Sequence, residues 1–342
     1  MRCLVIQTAF LGDVILTVPL LLALRALPDV ERLGALVSPA GAELLRTQTL
    51  VDDLIVYDKR GSGSGRRGLA GVVSSVRLLE ADTAVIPHRS FRSAFMARAA
   101  GVPRRVGFDV SGGRLFLTDV VPYNARVHEA ERCASLVGPL GGSFGDGRLP
   151  FRLTVPAPDA EAAATMLSAS GVGPDDATVV VAPGSRWSTK RWFPERFAAV
   201  ADEFARTEGL RVVVVGSADD AEAAAAVSAA AREPLVDLAG NLTIGEWLAV
   251  IGRSVLAVSN DSAAAHAAAG LATPVVSVFG PTVAAQGFAA SSDASQVVSA
   301  KVGCRPCGRH RSERCARGTL ECLDAVTDED VVAAGRELLA VE

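Results

Sequence analysis

Val255-Leu256-Ala257-Val258-Ser259-Asn260-Asp261-Ser262-Ala263-Ala264-Ala265-His266 continues through Gly270 to Pro274-Val275-Val276-Ser277-Val278-Phe279. Its two ends, Val255–Ser259 and Pro274–Phe279, are short valine-rich runs, and residues 262–270 between them are small helix formers. Strand, helix, strand over so short a span is a βαβ unit, whose strands must run parallel. The pattern extends backwards: Thr178–Ala182, Arg211–Val215 and Leu235–Leu238 read as strands, with helical stretches at 194–208, 218–231 and 243–252. A second series opens the chain, where Cys3–Thr8, Leu33–Val37, Leu54–Tyr57 and Ala84–Pro87 alternate with helical stretches at 14–27, 40–48, 69–80 and 91–101. The fold class is therefore α/β, with two parallel sheets covered by helices.

A chain of 342 residues exceeds one ordinary domain core, and 49% hydrophobic against 21% charged residues can bury large ones. Between the two series, Gly141-Gly142, Pro150, Pro156, Pro158 and Pro174 concentrate turn residues and place a linker near 153–172. A last helix, about 327–340, opens after Thr327 with Glu329 and Asp330 in its first turn. The net charge of −4 and pI near 5.7 do not suit a nucleic-acid binder. Val14 to Leu24 is apolar but too short to span a bilayer, so no transmembrane segment is expected. A strand-like segment at 3–9 stands where a signal peptide would have its basic region, and the expected location is cytoplasmic.

Ligands of open α/β sheets gather beyond the carboxyl ends of the strands. Three such junctions stand out. In Phe10-Leu11-Gly12-Asp13, Gly12 permits a close turn and Asp13 is a carboxylate able to take a proton from a hydroxyl, though Asp is equally a favoured helix N-cap. Pro19 should kink the helix that follows. In Ala182-Pro183-Gly184-Ser185-Arg186-Trp187-Ser188-Thr189-Lys190-Arg191-Trp192, hydroxyls and cations suit a diphosphate; the bland alternative is a basic turn packed on its tryptophans. In Asn260-Asp261-Ser262-Ala263-Ala264-Ala265-His266, the amides of Ser262 to Ala264 open a helix and favour an anion, while Asp261 and Ser262 would also serve an ordinary cap and His266 an ordinary core. No Gly-x-Gly-x-x-Gly follows a first-domain strand and no Walker-type Gly-Lys-Ser/Thr occurs, so dehydrogenase and P-loop readings lose support.

Two further segments carry chemistry. Lys59 to Gly68 holds four basic residues and no acid among glycines and serines, and reads as a mobile loop, either plain surface or an anion-engaging lid. Cys304, Cys307, Cys315 and Cys322 lie close in sequence; four thiolates could hold a structural zinc, with His310 as an alternative ligand, or simply pack as free thiols.

Together these junctions resemble the ADP-heptose:lipopolysaccharide heptosyltransferase family, glycosyltransferase family 9, and within it the heptosyltransferase II subgroup. The matching segments are Leu11-Gly12-Asp13-Val14-Ile15-Leu16-Thr17-Val18-Pro19-Leu20, Arg89-Ser90-Phe91-Arg92-Ser93-Ala94, Arg104-Arg105-Val106-Gly107-Phe108, Thr189-Lys190-Arg191-Trp192, and Asn260-Asp261-Ser262 through His266 to Phe279-Gly280-Pro281-Thr282. They run in family order along most of the chain. The resemblance implies a GT-B fold, two Rossmann-like domains facing a central cleft: residues 1–155 for the acceptor, 173–325 for the nucleotide sugar, and a terminal helix at 326–342 packing back on the first domain. It implies an inverting transfer with no catalytic cofactor, from an ADP-sugar to an anionic glycolipid acceptor, with peripheral contact at the inner membrane. Asp13 becomes the general base and Lys190 the partner of the leaving diphosphate. Ser185, Thr189, Glu222, Asp261, Ser262, Ala263, Ala264 and His266 become donor ligands, and Arg60, Arg89 and Arg92 acceptor ligands. A similar cysteine cluster occurs in some members of the second subgroup. The chain departs from the family at Ala263-Ala264-Ala265, where glycine and a larger apolar residue are usual, which leaves open another nucleotide sugar or a non-catalytic sugar-nucleotide-binding protein.

Overall fold

A computed structural model of the chain describes residues 1–142, 151–307 and 313–340. It divides into two compact units, Met1–Phe151 and Arg152–Glu342. In the first, β1 (Arg2–Gln7) leads through α1 (Leu11–Ile15) and α2 (Val18–Arg25) to β2 (Arg32–Val37), and α3 (Pro39–Gln48) leads to β3 (Asp53–Val56). Then α4 (Gly65–Leu78) leads to β4 (Thr83–Ile86), and α5 (Phe91–Ala99) to β5 (Arg104–Phe108). A 3-10 turn, Arg114–Phe116, precedes β6 (Asp119–Val121), and α6 (Glu129–Ser135) follows. In the second unit, α7 (Ala157–Ala169) precedes β7 (Thr178–Ala182), followed by α8 (Pro194–Glu208), β8 (Arg211–Val214), α9 (Ala221–Ala230) and β9 (Leu235–Asp237). The chain continues through α10 (Ile244–Gly252), β10 (Leu256–Asn260), α11 (Ala263–Gly270), β11 (Val275–Val278) and β12 (Ser295–Val298) to α12 (Glu321–Asp324) and α13 (Asp328–Leu339).

Both sheets have six strands and follow one path, β3-β2-β1-β4-β5-β6 and, read from its other edge, β9-β8-β7-β10-β11-β12. Each pairing is parallel. Central strands such as β7 and β10 are buried along their whole length because helices cover both faces of a parallel sheet. The order reverses between β1 and β4 in the first sheet and between β7 and β10 in the second. At such switch points the loops diverge and leave a crevice for a ligand.

Leu4, Ile6, Leu36, Val76, Ile86 and Met96 form much of one first-unit core cluster. Val181, Val214, Val258 and Val278 of the second sheet pack with Phe197 and Phe204 of α8. Val331, Val332, Ala334 and Leu338 of α13 join that cluster. The terminal helix expected on the first domain thus has its apolar face on α8 and β10 to β12 of its own unit. A capping box between Thr327 and Asp330 starts it.

Three other expectations are corrected. The stretch read as linker contains helix α7, packed on α10, because Ala163 and Leu167 give it one buried stripe. The kink expected at Pro19 is a full break: α1 ends at Ile15, and Pro19 lies in the first turn of α2, where its missing N–H costs no helical bond. The loop read at Lys59–Gly68 is helical from Gly65, and the Asp58 carboxylate accepts the amides of Arg60, Gly61 and Ser62 ahead of it. Among the described residues, no helix is long and apolar enough to cross a membrane.

Candidate active site

At the second switch point, Asn260 ends β10 and is fully buried. Its Oδ1 accepts the Trp192 amide at 2.9 Å and its Nδ2 donates to the Pro183 carbonyl at 2.7 Å. One side chain therefore fastens both ends of the loop after β7 to the end of β10. The 3-10 turn Ser188–Lys190 within that loop is held so that Lys190 Nζ donates to Asp261 Oδ2 at 2.5 Å. Thr282 Oγ1 donates to the same oxygen at 2.6 Å. Lys190 is only 8% exposed and Asp261 6%, so this ion pair lies in a largely dry site. There, charges interact more strongly than at a wet surface.

Ser262 is the N-cap of α11, and its Oγ accepts the Ala264 amide at 3.4 Å. His266, one turn along, is buried. Ser185 and Thr189 are buried in the β7 loop, whose Ser185 carbonyl accepts Arg191 Nε at 2.8 Å. Glu222 is exposed in the first turn of α9. Its neighbour Asp220 instead lies against the β7 loop: a Cβ on Gly184 would stand 2.3 Å from its Cγ. Gly184 is glycine because that carboxylate packs flat against it. Sequence reasoning also missed Asn260 and Thr282 as anchoring groups, although both stood inside quoted segments.

At the first switch point, the ends of β1 and β4 meet. His88 Nδ1 lies 3.2 Å from Thr8 Oγ1 and 3.0 Å from Ser93 Oγ, and Lys59 Nζ donates to the Thr8 carbonyl at 2.7 Å. Asp13 is the third residue of α1 rather than its N-cap, which is Phe10. Its Oδ2 accepts the Phe10 amide at 3.2 Å. Asp13 also lies within electrostatic reach of Glu129 on α6.

Each of the three arginines singled out from the sequence touches an aromatic ring. Arg60 lies 5.2 Å from the centre of the Phe10 ring and Arg89 4.6 Å from that of Tyr123. Arg92 Nη1 donates to Tyr57 Oη at 3.5 Å. Tyr123 also meets Arg132 on its ring, at 4.9 Å, and is thereby shared by two guanidinium groups. Arg132 Nη1 donates to Glu129 Oε2 at 2.5 Å, and both side chains are buried. Burial pushes the Glu129 carboxyl up, while Arg89 and Arg132 pull it down. Sequence reasoning missed this Glu129, Arg132 and Tyr123 group, because nothing local marks a surface-type pair as buried.

Of the two readings left open for the cysteines, the structure does not support the structural zinc. Cys322 lies in the second-unit core, Cys307 is exposed and its Sγ points to the Cys304 carbonyl, and Cys315 faces the backbone amides of Leu320, Arg317 and Thr319, which lower its thiol. Among the described residues, no group of three or more His, Cys, Asp or Glu is disposed to hold a metal ion. His310 lies outside the described residues.

Two Rossmann-like units, each with polar groups gathered at its switch point, define a GT-B glycosyltransferase. The fold is shared with a family 9 glycosyl transferase from Veillonella parvula (TM-score 0.85, 23% identity, covering 100% of this chain and 98% of that one). It is shared too with the E. coli ADP-heptose lps heptosyltransferase II (TM-score 0.77, 23% identity, 99% of each chain). The family model for glycosyltransferase family 9 (heptosyltransferase) matches residues 72–316, and the chain belongs to that family. Lipopolysaccharide heptosyltransferase 3 of E. coli K12 is 27% identical over 347 residues, 96% of this chain and 95% of the relative.

Proposed function

We propose that the chain transfers a heptose from ADP-heptose, with inversion, to a glycolipid acceptor of the lipopolysaccharide inner core or a related glycan. The observation that carries this reading is the buried Lys190 and Asp261 pair beside the N-terminus of α11. A nucleotide-sugar transfer must stabilise the negative charge that develops on a leaving diphosphate. A fixed ammonium and helix N-terminal amides in a dry site do so without reorganising.

In this scheme Asp13 takes the proton of the acceptor hydroxyl. The hydroxyl oxygen attacks the anomeric carbon, the bond from that carbon to the diphosphate breaks, and ADP leaves. Lys190 and the amides at Ser262 to Ala264 receive the diphosphate charge with no metal in the step. Asp261 and His266 face the donor sugar, with Ser185, Thr189 and Glu222 toward the nucleotide. Arg60, Arg89 and Arg92 hold an anionic acceptor: aromatic contacts already orient them, so less side-chain freedom is lost on binding. A lipid-linked acceptor places the reaction at the cytoplasmic face of a membrane.

Asp13→Asn tests the scheme. It should lower turnover by about 10²–10⁴-fold while ADP-sugar affinity stays as in the wild type. An Asp13→Asn protein with wild-type turnover would remove Asp13 as the base. Titrating the purified chain with ADP-, UDP- and GDP-sugars checks the donor, and absence of any preference for the ADP-sugar would sink the heptosyl reading.

A further inference from the structure

In the first unit, α4 packs on α5 and α5 on the 3-10 turn Arg114–Phe116, with Arg77 donating to the Ala99 carbonyl at 3.0 Å. These elements carry Arg66, Arg67, Arg77, Arg92, Arg98 and Arg114 and not one Asp or Glu. All six arginines are exposed. The layer on the opposite sheet face is mixed, with Asp13, Glu43, Glu129 and Glu131 among Arg25, Arg46 and Arg132. In a chain with 34 basic and 38 acidic residues, an acid-free layer runs against the composition.

Three large apolar side chains stand out from the same layer, among them Leu78 at the end of α4, 83% exposed. Phe91 is 57% exposed and Leu115 is 97% exposed. Phe91 is nonetheless firmly held, stacked on Phe95 at 6.1 Å and edge-on to Phe116 at 5.2 Å. Exposed apolar tips rimmed by arginines are what an interfacial surface requires. The tips gain by leaving water, and the arginines are drawn to anionic headgroups. A nucleic acid would use the charge and leave Leu115 in water, so the pairing of both features favours a lipid surface.

We propose that the α4, α5 and Arg114–Phe116 layer docks the protein on an anionic lipid bilayer, with Phe91 and Leu115 entering the headgroup region. The proposal names the surface behind any membrane contact and does not rest on the transfer reading, because bare vesicles contain neither sugar nucleotide nor acceptor.

Co-sedimentation of the full chain with vesicles tests it. Vesicles of phosphatidylcholine mixed with phosphatidylglycerol should bind the protein, and vesicles of phosphatidylcholine alone should bind it far less. Each arginine near an anionic surface is worth roughly fivefold, so Arg98→Glu combined with Arg114→Glu should weaken binding about 25-fold or more. Leu115→Ser, at a position too exposed to affect folding, should weaken binding severalfold, with ADP affinity as a check on the fold. Equal binding to both vesicle types, or wild-type binding by the arginine double variant, would overturn the proposal. So would duplex DNA binding as tight as vesicle binding together with an inert Leu115→Ser, which would mark a general polyanion surface.

Discussion

The two units thread their sheets in the same order, yet their switch points are built in opposite ways. In the second unit the polar groups are buried and bonded to one another: Lys190 and Thr282 on Asp261, and Asn260 across the β7 loop. In the first, Thr8, His88 and Ser93 are bonded to one another, but the charged groups differ: arginines lie against aromatic side chains, and Asp13 sits in a half-exposed helical turn. Topology therefore sets where a ligand goes, and the loops decide what it meets. A diphosphate presents fixed charge at fixed spacing and suits a rigid, pre-paired site. A glycan presents many hydroxyls and few charges, and suits long side chains that can adjust.

The largest effect should come from breaking the rigid site. Lys190→Ala removes the ammonium and leaves the Asp261 carboxylate buried, with the Thr282 hydroxyl still donating to it. Turnover should fall about 10²–10³-fold, the usual cost of losing one charge-stabilising donor. Stability should drop by about 3 kcal/mol, because a buried charge loses its partner. Pre-steady-state kinetics and denaturant melts measure the two separately. Unchanged turnover with lowered stability would make the pair a structural fastener and erase the contrast between the units.

A smaller effect is expected where the first unit does bury charge. Glu129→Gln leaves Arg132, only 1% exposed, facing a neutral amide. Gln keeps one acceptor for it, so the loss should be about 2–3 kcal/mol, less than for an amputated partner. Urea titration reads it directly. Acceptor KM should rise as well, because Arg132 and Arg89 share the Tyr123 ring that places Arg89. A stability loss with no change in KM would confine this group to the core.

Much of this was legible in the sequence, for definite reasons. Val-rich runs before small or charged turns marked the central strands, since a strand covered on both faces has no polar alternation to hide in. The edge strands β6 and β12, three and four residues long and at most half-buried, left no such run and were missed, as was the inner strand β5, which opens on Arg104-Arg105. The residues after β1, β7 and β10 were singled out because strand ends are where ligands bind. Their partners were not: that Asn260 would reach Trp192 and Pro183, or that Asp220 rather than Glu222 would lie on Gly184, depends on how distant loops pack. The cysteines are a half-success: Cys304, Cys307 and Cys315 do lie within electrostatic reach of Cys322, but Cys322 belongs to the apolar core and no metal-holding group forms among the described residues.

The smallest expected effect separates surface charge from buried charge within the first unit. Arg104 Nη2 donates to Asp119 Oδ1 at 2.9 Å across the β5 and β6 pair, and both groups are partly exposed. The Arg104 hydrogen bond holds the Asp119 carboxyl below its ordinary value, helped by Thr118. A carboxylate with a depressed folded pKa stabilises the fold above its unfolded pKa, about 3.9, and that stability is lost as pH falls through the folded value. Asp119→Asn should therefore cost under about 1 kcal/mol at neutral pH, the scale of a solvent-screened pair. The two proteins should converge as the pH is lowered through the depressed folded value, where the wild-type carboxyl is itself protonated. Glu129→Gln should behave differently, because burial raises the Glu129 carboxyl instead of depressing it. Its cost should instead grow as the pH is lowered, because a carboxyl with a raised folded value makes the wild type more stable on taking up its proton, whereas Gln cannot. If both deficits faded together as the pH fell, Glu129 would be no more shielded from water than the edge pair, and the division between a buried and a surface charge group would fail.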